Sequence, residues 1–92
     1  MELNEIREQI DIIDDELVTL FVKRMELSAQ VADYKKANNL PIYVPVREQE
    51  VLNKVANKAG TKMEDYARTL YLLIFELSRN YQTKRNFSSQ QP

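Results

Sequence analysis

A single uninterrupted helical pattern, from Leu3 to Asn38, constrains the fold of this chain more than any other feature. The segment contains neither glycine nor proline. Its apolar residues recur at alternating steps of four and three, which is the seam of an amphipathic α-helix. They are Ile6, Ile10, Ile13, Leu17, Leu20, Leu27, Val31 and Tyr34. The pattern predicts one helix that begins near Asn4, as its N-cap, and ends near Asn38, before Pro41.

The length of this helix exceeds the size of a domain that could fold around it. A helix of about 35 residues spans about 52 Å at 1.5 Å per residue. A compact chain of 92 residues has a radius of gyration of about 12 Å and a diameter on the order of 30 Å. Part of the seam therefore needs cover from outside the chain, and the same helix of a second copy is the simplest cover. We accordingly expect an intertwined helical homodimer.

One position of the seam carries a charge. The repeat requires an apolar residue between Leu20 and Leu27, and the chain has Arg24 there. Lys35 follows at a rotation of only about 20° and about 16 Å further along the helix. Because burying an unpaired guanidinium costs several kcal/mol, Arg24 needs an acidic partner, water or an anionic ligand. Solvated positions, with the aliphatic stems along apolar surface, stay open for both cations, and an anion site is the sharper prediction.

The rest of the chain predicts two further helices, so that the fold class is all-α with one long, one short and one medium helix. The segment Leu40–Val46 contains two prolines and is typical of an extended connector. Pro45 suits the first position of the second helix, which makes Val44 its N-cap and Gly60 its end. A third helix opens after Thr61. Its inner face comprises Ala67, Leu70, Tyr71, Ile74, Leu77, Ser78 and Tyr81, followed by Gln82.

The inward faces of the two later helices become polar at one end. Arg47 and Glu48 lie at the start of the second helix, with Glu48 about one turn before Val51. Ser78 and Gln82 lie one turn apart near the end of the third helix. Ordinary surface positions stay open as the alternative for all four polar residues.

Composition indicates one small domain and excludes several function classes. Residues 1–85 are expected to form the helical domain, and the polar, proline-ended residues 86–92 a disordered tail. Thirteen basic and fourteen acidic residues leave a net charge of −1, which favours neither nucleic acid nor a membrane surface. The chain has no histidine and no cysteine, which excludes thiol nucleophiles, disulfides and the commonest metal ligands. Without a membrane span or signal peptide in the sequence, a cytoplasmic location is expected.

Apolar, charged and polar residues form a joint pattern across the three predicted helices. The pattern comprises Leu3, Arg7, Ile10, Asp11, Ile13, Asp14, Leu17, Leu20, Arg24, Leu27, Val31, Lys35, Arg47, Glu48, Ser78 and Gln82. It resembles the all-helical (AroQ-class) chorismate mutases over about residues 3–82. The resemblance implies a homodimer of three-helix chains with two active sites, each completed by the partner subunit. It also implies the rearrangement of chorismate to prephenate, towards phenylalanine and tyrosine, without a metal or cofactor.

The resemblance further implies roles for the charged residues and the amide. Arg24 would bind one substrate carboxylate, and Arg7 of the partner subunit would bind the other. Lys35 and Gln82 would donate hydrogen bonds to the ether oxygen. A [3,3]-sigmatropic rearrangement needs only a compact substrate conformer and donors near the breaking C–O bond. A chain without histidine and cysteine can perform such a reaction.

The remaining roles concern the second and third helices. Glu48 would accept a hydrogen bond from the ring hydroxyl, while Arg47 and Ser78 would line the ring-carboxylate side. The chain departs from the family pattern at Val44, where an acidic residue commonly occurs. The departure affects the local cap and the positioning of Glu48, and leaves the main anion site unchanged.

Two other functions stay open at the level of sequence. One is an isochorismate-pyruvate lyase, a sister activity on the same helical scaffold. The other is a non-catalytic dimerisation or regulatory module of a shikimate-pathway enzyme, which the charge at Arg24 disfavours because a pure dimer seam has no use for it. Association with another shikimate-pathway enzyme also stays open.

Overall fold

The computed structural model describes the backbone of residues 1–90 and the side chains of residues 1–87. Over this range the chain forms three helices and no strand, which confirms the all-α prediction. They are α1 (Leu3–Ala37), α2 (Pro45–Ala59) and α3 (Glu64–Gln90). α3 packs against both other helices, whereas α1 and α2 do not pack on each other within the described range. No helix there is long and apolar enough to cross a membrane.

α1 matches the predicted length but begins earlier than predicted. Asn4 as the N-cap is wrong, because Glu2 occupies that position with an extended backbone and no side-chain cap. The Glu2 carbonyl accepts the first helical hydrogen bond from the Ile6 amide at 3.1 Å. The C-terminal end agrees with the sequence, since Asn38 is the C-cap and Asn39 adopts a φ of 55°. Asparagine tolerates this left-handed conformation better than most residues.

The bounds of α2 follow from proline and glycine, as predicted. Pro45 is the first helical residue and Val44 is the N-cap, without a side-chain hydrogen bond to the helix. Gly60 ends the helix with a φ of 85°, a backbone conformation that glycine adopts without a steric penalty.

α3 extends further than the sequence predicted. The expected disordered tail begins at Asn86, but the helix continues to Gln90. Residues 64–90 contain no glycine or proline, so nothing in the backbone chemistry interrupts the helix at Asn86. Residues 91–92 of the predicted tail lie outside the described range.

The core is small and lies in one half of the molecule. Its buried apolar residues are Ala29, Ala32, Ala56 and Phe75. Three of these are alanines, which let the helices approach closely. The seam residues of α1 are different, because their exposed fractions range from 41% at Ile6 to 63% at Tyr34. The chain measures 56 × 29 × 14 Å, so α1 extends past the rest of the fold and its seam stays uncovered by this chain.

An exposed ion pair joins α1 and α3 at the surface. Arg85 donates from Nε and Nη2 to the two carboxylate oxygens of Asp33, each at 2.9 Å. The hydrogen bond from Arg85 lowers the pKa of the Asp33 carboxyl. Because both side chains are exposed, this pair contributes little to stability.

Candidate active site

A cavity of about 480 Å³ lies where the three helices and the connector meet. This volume is in the range of small-molecule sites, which is roughly 300–1,000 Å³. Six of the seven site residues predicted from sequence line it. They are Arg24, Lys35, Arg47, Glu48, Ser78 and Gln82. The other lining residues are Leu27, Ser28, Val31, Ile42, Val44, Val51, Phe75 and Arg79.

Arg24 enters the cavity from α1 and is held by aromatic rings. Its guanidinium carbon lies 5.8 Å from the ring centroid of Tyr71 and 5.9 Å from that of Phe75. Such cation–π contacts are worth about 0.5–1 kcal/mol at exposed sites and more when desolvated. Arg24 makes no ion pair with a described acidic residue. Its five N–H donors are therefore available to an anionic ligand.

Lys35 faces the same cavity from the end of α1. Its Nζ donates to the carbonyl oxygen of Ile42 at 2.6 Å, which fixes the helix end to the connector. An ammonium carries three donors, so two remain for a ligand. Burial lowers the pKa of Lys35, and the negative charge of Glu48 partly opposes this shift by raising it.

Three buried polar side chains form a hydrogen-bonded cluster between α1 and α3. The hydroxyls of Ser28 and Ser78 are bonded to each other. Gln82 donates from Nε2 to Ser28 Oγ at 2.8 Å and to Ser78 Oγ at 3.4 Å. Gln82 Oε1 is buried without a hydrogen bond to the described residues. An unsatisfied buried acceptor costs about 1–3 kcal/mol, so the described residues leave this amide with unused bonding capacity.

A rotation of the Gln82 amide by 180° exchanges its donor and its acceptor. The oxygen would then accept from a serine hydroxyl, and the NH₂ group would lie where Oε1 now lies. Both orientations keep one polar atom of Gln82 anchored to the serines. In that orientation the amide nitrogen would hold an unused donor in place of the unused acceptor.

The start of α2 contributes one carboxylate and one guanidinium of very different burial. Glu48 forms an ion pair with Arg79 of α3, with side chains 20% and 34% exposed. Nη1 of Arg47 lies 3.6 Å from Oε2 of Glu50, and both of these side chains are largely exposed. Glu48 is therefore a fixed part of the cavity wall, whereas Arg47 lies at its rim.

Arg7 is the predicted site residue that the structure does not bring to this cavity. It is exposed and lies about 25 Å before Arg24 along α1, at 1.5 Å per residue. Its side chain is far too short to span that distance. Within one chain, Arg7 and Arg24 cannot contact the same ligand.

Two polar residues of the cavity, Ser28 and Arg79, were not predicted from the sequence. Ser28 follows Arg24 by one helical turn, so the period of α1 could have placed it on the same face. Arg79 directly follows Ser78 on α3 and lies off the predicted inner face. No periodic signal identifies Arg79, because its long side chain reaches Glu48 from the side of the helix.

Comparison with known proteins agrees with this geometry. The sequence pattern of the family described as chorismate mutase type II matches residues 6–83. A bifunctional chorismate mutase/prephenate dehydratase of Aquifex aeolicus is 43% identical over 54 residues, which cover 59% of this chain and 15% of that protein. The T-protein of Haemophilus influenzae is 46% identical over 61 residues, covering 63% and 16% of the two chains.

A shorter relative has a single-function name. The chorismate mutase of Methanocaldococcus jannaschii is 35% identical over 54 residues, which cover 59% of this chain and 54% of that protein. The chain thus spans about a sixth of the length of the two longer relatives and about half of this shorter one. No solved structure gives a significant match. Since the family pattern covers most of the sequence, the chain belongs to the chorismate mutase type II family.

Proposed function

We propose that this chain catalyses the rearrangement of chorismate to prephenate. The observation that carries the proposal is the pair of cations, Arg24 and Lys35, on one wall of a cavity that also contains the buried amide of Gln82. Chorismate is a dicarboxylate with an ether oxygen on which charge develops as the C–O bond breaks. Cations bind carboxylates through charge-assisted hydrogen bonds, and preorganised donors stabilise the developing charge. The reaction is intramolecular and needs no group from histidine or cysteine.

In this proposal each cavity residue contacts a different part of the substrate. Arg24 binds one carboxylate, and Lys35 and Gln82 donate to the ether oxygen. Glu48 accepts a hydrogen bond from the ring hydroxyl. Residues on the ring-carboxylate side are Arg47 and Ser78. Together these contacts hold the compact conformer in which the two reacting carbons are close.

The proposal includes a homodimer in which Arg7 of the partner subunit binds the second carboxylate. The uncovered seam of α1 supports it, since its large apolar residues are 41–63% exposed in the single chain. The distance of about 25 Å along α1 between Arg7 and Arg24 also supports it, because one chain cannot supply both residues to one site.

Location in the cytoplasm stays a prediction.

The names of the relatives extend the proposal to partners. One relative combines chorismate mutase with prephenate dehydratase in a single protein. We therefore include association with another shikimate-pathway enzyme, which would act on prephenate.

The first test is incubation of the purified protein with chorismate and, separately, with isochorismate. We expect prephenate from chorismate, because the cavity supplies donors to the ether oxygen and no new group is needed. Arg85→Ala, which removes a cation of α3 outside the cavity, should keep parent-like turnover. Salicylate and pyruvate from isochorismate would instead identify a lyase, and no product from either substrate would indicate a non-catalytic module.

A second test mixes two inactive variants, Arg7→Ala and Arg24→Ala, under conditions that allow subunit exchange. In a mixed dimer one site keeps both arginines and the other site loses both. Random exchange of equal amounts makes half of the dimers mixed, so activity should recover to about a quarter of the parent value. Sedimentation of differently tagged chains confirms the exchange.

The shared site is contradicted if exchange is complete and activity stays at the level of the separate variants. Two residues of the same chain would give that result, since no mixed dimer then contains an intact site.

A third test changes the amide of Gln82 to a carboxyl. In Gln82→Glu the ionised carboxylate repels the charge that develops on the ether oxygen, so we expect very low turnover at neutral pH. A carboxyl is protonated below its pKa, which is ordinarily about 4.3 and is raised by burial. The variant should therefore gain activity as the pH falls from 8 to 4.5. Initial rates of chorismate loss measure this gain, and circular dichroism checks folding at each pH.

Gln82→Ala is the matched control for this profile. It has no donor at any pH, so its low turnover should not rise on acidification. If Gln82→Glu shows parent-like turnover at neutral pH, or no gain in acid while folded, Gln82 does not donate to the ether oxygen.

A further inference from the structure

Arg79 is a cavity residue to which the proposed chemistry assigns no part. It follows Ser78 on α3, and its Nη1 donates to Oε2 of Glu48 on α2. With side chains 34% and 20% exposed, the pair is shielded more than a typical surface ion pair. This hydrogen bond involves Oε2 of Glu48. The other carboxylate oxygen, Oε1, can accept a hydrogen bond from a different group. The pKa of Arg79 is raised because this hydrogen bond favours its charged form.

The guanidinium of Arg79 also contacts an aromatic ring. Its central carbon lies 4.9 Å from the ring centroid of Tyr43, in the connector. The contact falls within the range of cation–π interactions, which extends to about 6 Å. Arg79 thus joins three parts of the chain: α3 through its backbone, α2 through Glu48, and the connector through Tyr43.

Glu48 lines the same cavity as two cations, Lys35 and Arg79, and is hydrogen-bonded to Arg79. Its negative charge acts on Lys35 as well as on Arg79. An unrestrained carboxylate would move toward the ammonium of Lys35, because opposite charges in a partly desolvated cavity attract strongly. That movement would engage donors of Lys35 and offset the field of its charge at the ether oxygen.

We propose that Arg79 is a positioning residue that holds the carboxylate of Glu48 at the cavity wall and away from Lys35. The inference rests on the proposed function, in which Glu48 accepts from the ring hydroxyl and Lys35 donates to the ether oxygen. Arg79 does not touch the substrate. It acts through Glu48, and its loss weakens two substrate contacts at once.

The proposed role of Lys35 predicts which kinetic constant changes when Arg79 is substituted. Lys35 acts on charge that grows only as the C–O bond breaks, so pairing Lys35 with Glu48 should lower kcat more than it raises KM. Arg79→Ala should reduce kcat by about tenfold or more, the equivalent of one charged hydrogen bond. Arg79→Lys keeps a cation near Glu48 and should recover part of the loss. The matched control is Arg85→Ala, which removes a paired arginine from the same helix and should keep the parent kcat.

The decisive comparison repeats the substitution in the Glu48→Gln background. There, Arg79→Ala should cost less than about twofold, because the carboxylate that Arg79 holds is gone. An equal loss in both backgrounds would overturn the inference, since it would mean that Arg79 acts on the substrate directly. A parent-like kcat for Arg79→Ala would also overturn it. If circular dichroism shows that Arg79→Ala does not fold, Arg79→Lys is tested in the same two backgrounds, where its smaller loss of kcat should again disappear with Glu48→Gln.

A measurement without substrate separates this inference from the proposed function. Urea unfolding of the parent, the two single variants and the double variant measures the coupling between Arg79 and Glu48. Non-additive midpoints support the pairing even if chorismate is not converted, in which case only the proposed function fails. Additive midpoints overturn the pairing whatever the activity.

Discussion

A guanidinium in an apolar helix face needs a counter-charge when that face is covered. Arg24 interrupts the seam of α1, and the fold gives it the faces of Tyr71 and Phe75 but no carboxylate among the described residues. Aromatic faces stabilise a cation by only about 0.5–2 kcal/mol. A hydrogen-bonded counter-ion is still needed when this face is covered. The cavity leaves room for such an anion directly beside Arg24.

The close packing of α1 against α3 determines which polar groups meet at this cavity. Ser28, Ala29 and Ala32 are small and buried, so α3 approaches α1 closely enough for Gln82 to bond Ser28. Longer side chains at these positions would separate the helices and move the amide away from Lys35. Small residues, usually a cost to a hydrophobic core, here position the polar groups of the site.

Much of the fold could be predicted from the sequence, since strong local rules govern it. The repeat of α1, Pro45 at the start of α2 and Gly60 at its end each determine a helix boundary. Asn4 was wrongly predicted as a cap, because a preference for capping residues does not require that one be used. The extent of α3 past Asn86 was missed because polar composition is a weak guide to helix ends.

The site could be predicted less completely. Arg24, Lys35 and Gln82 lie on helix faces whose period shows which way they point, and these residues do meet at one cavity. Arg79 lies off such a face, and its pairing with Glu48 depends on how α2 and α3 pack. A single-chain pattern contains no information on that packing. The sequence also could not place Arg7 at the site, because its proposed position depends on a second chain.

Substitution of Arg24 by methionine tests whether this guanidinium serves a ligand and not the fold. Methionine keeps the straight chain and a good helix propensity but removes the charge. We predict an unchanged or higher melting temperature, because an apolar residue suits the seam. Chorismate turnover should fall by at least about a hundredfold, since two charge-assisted hydrogen bonds are lost. A lower melting temperature with turnover retained would mean that Arg24 serves the fold and not a ligand.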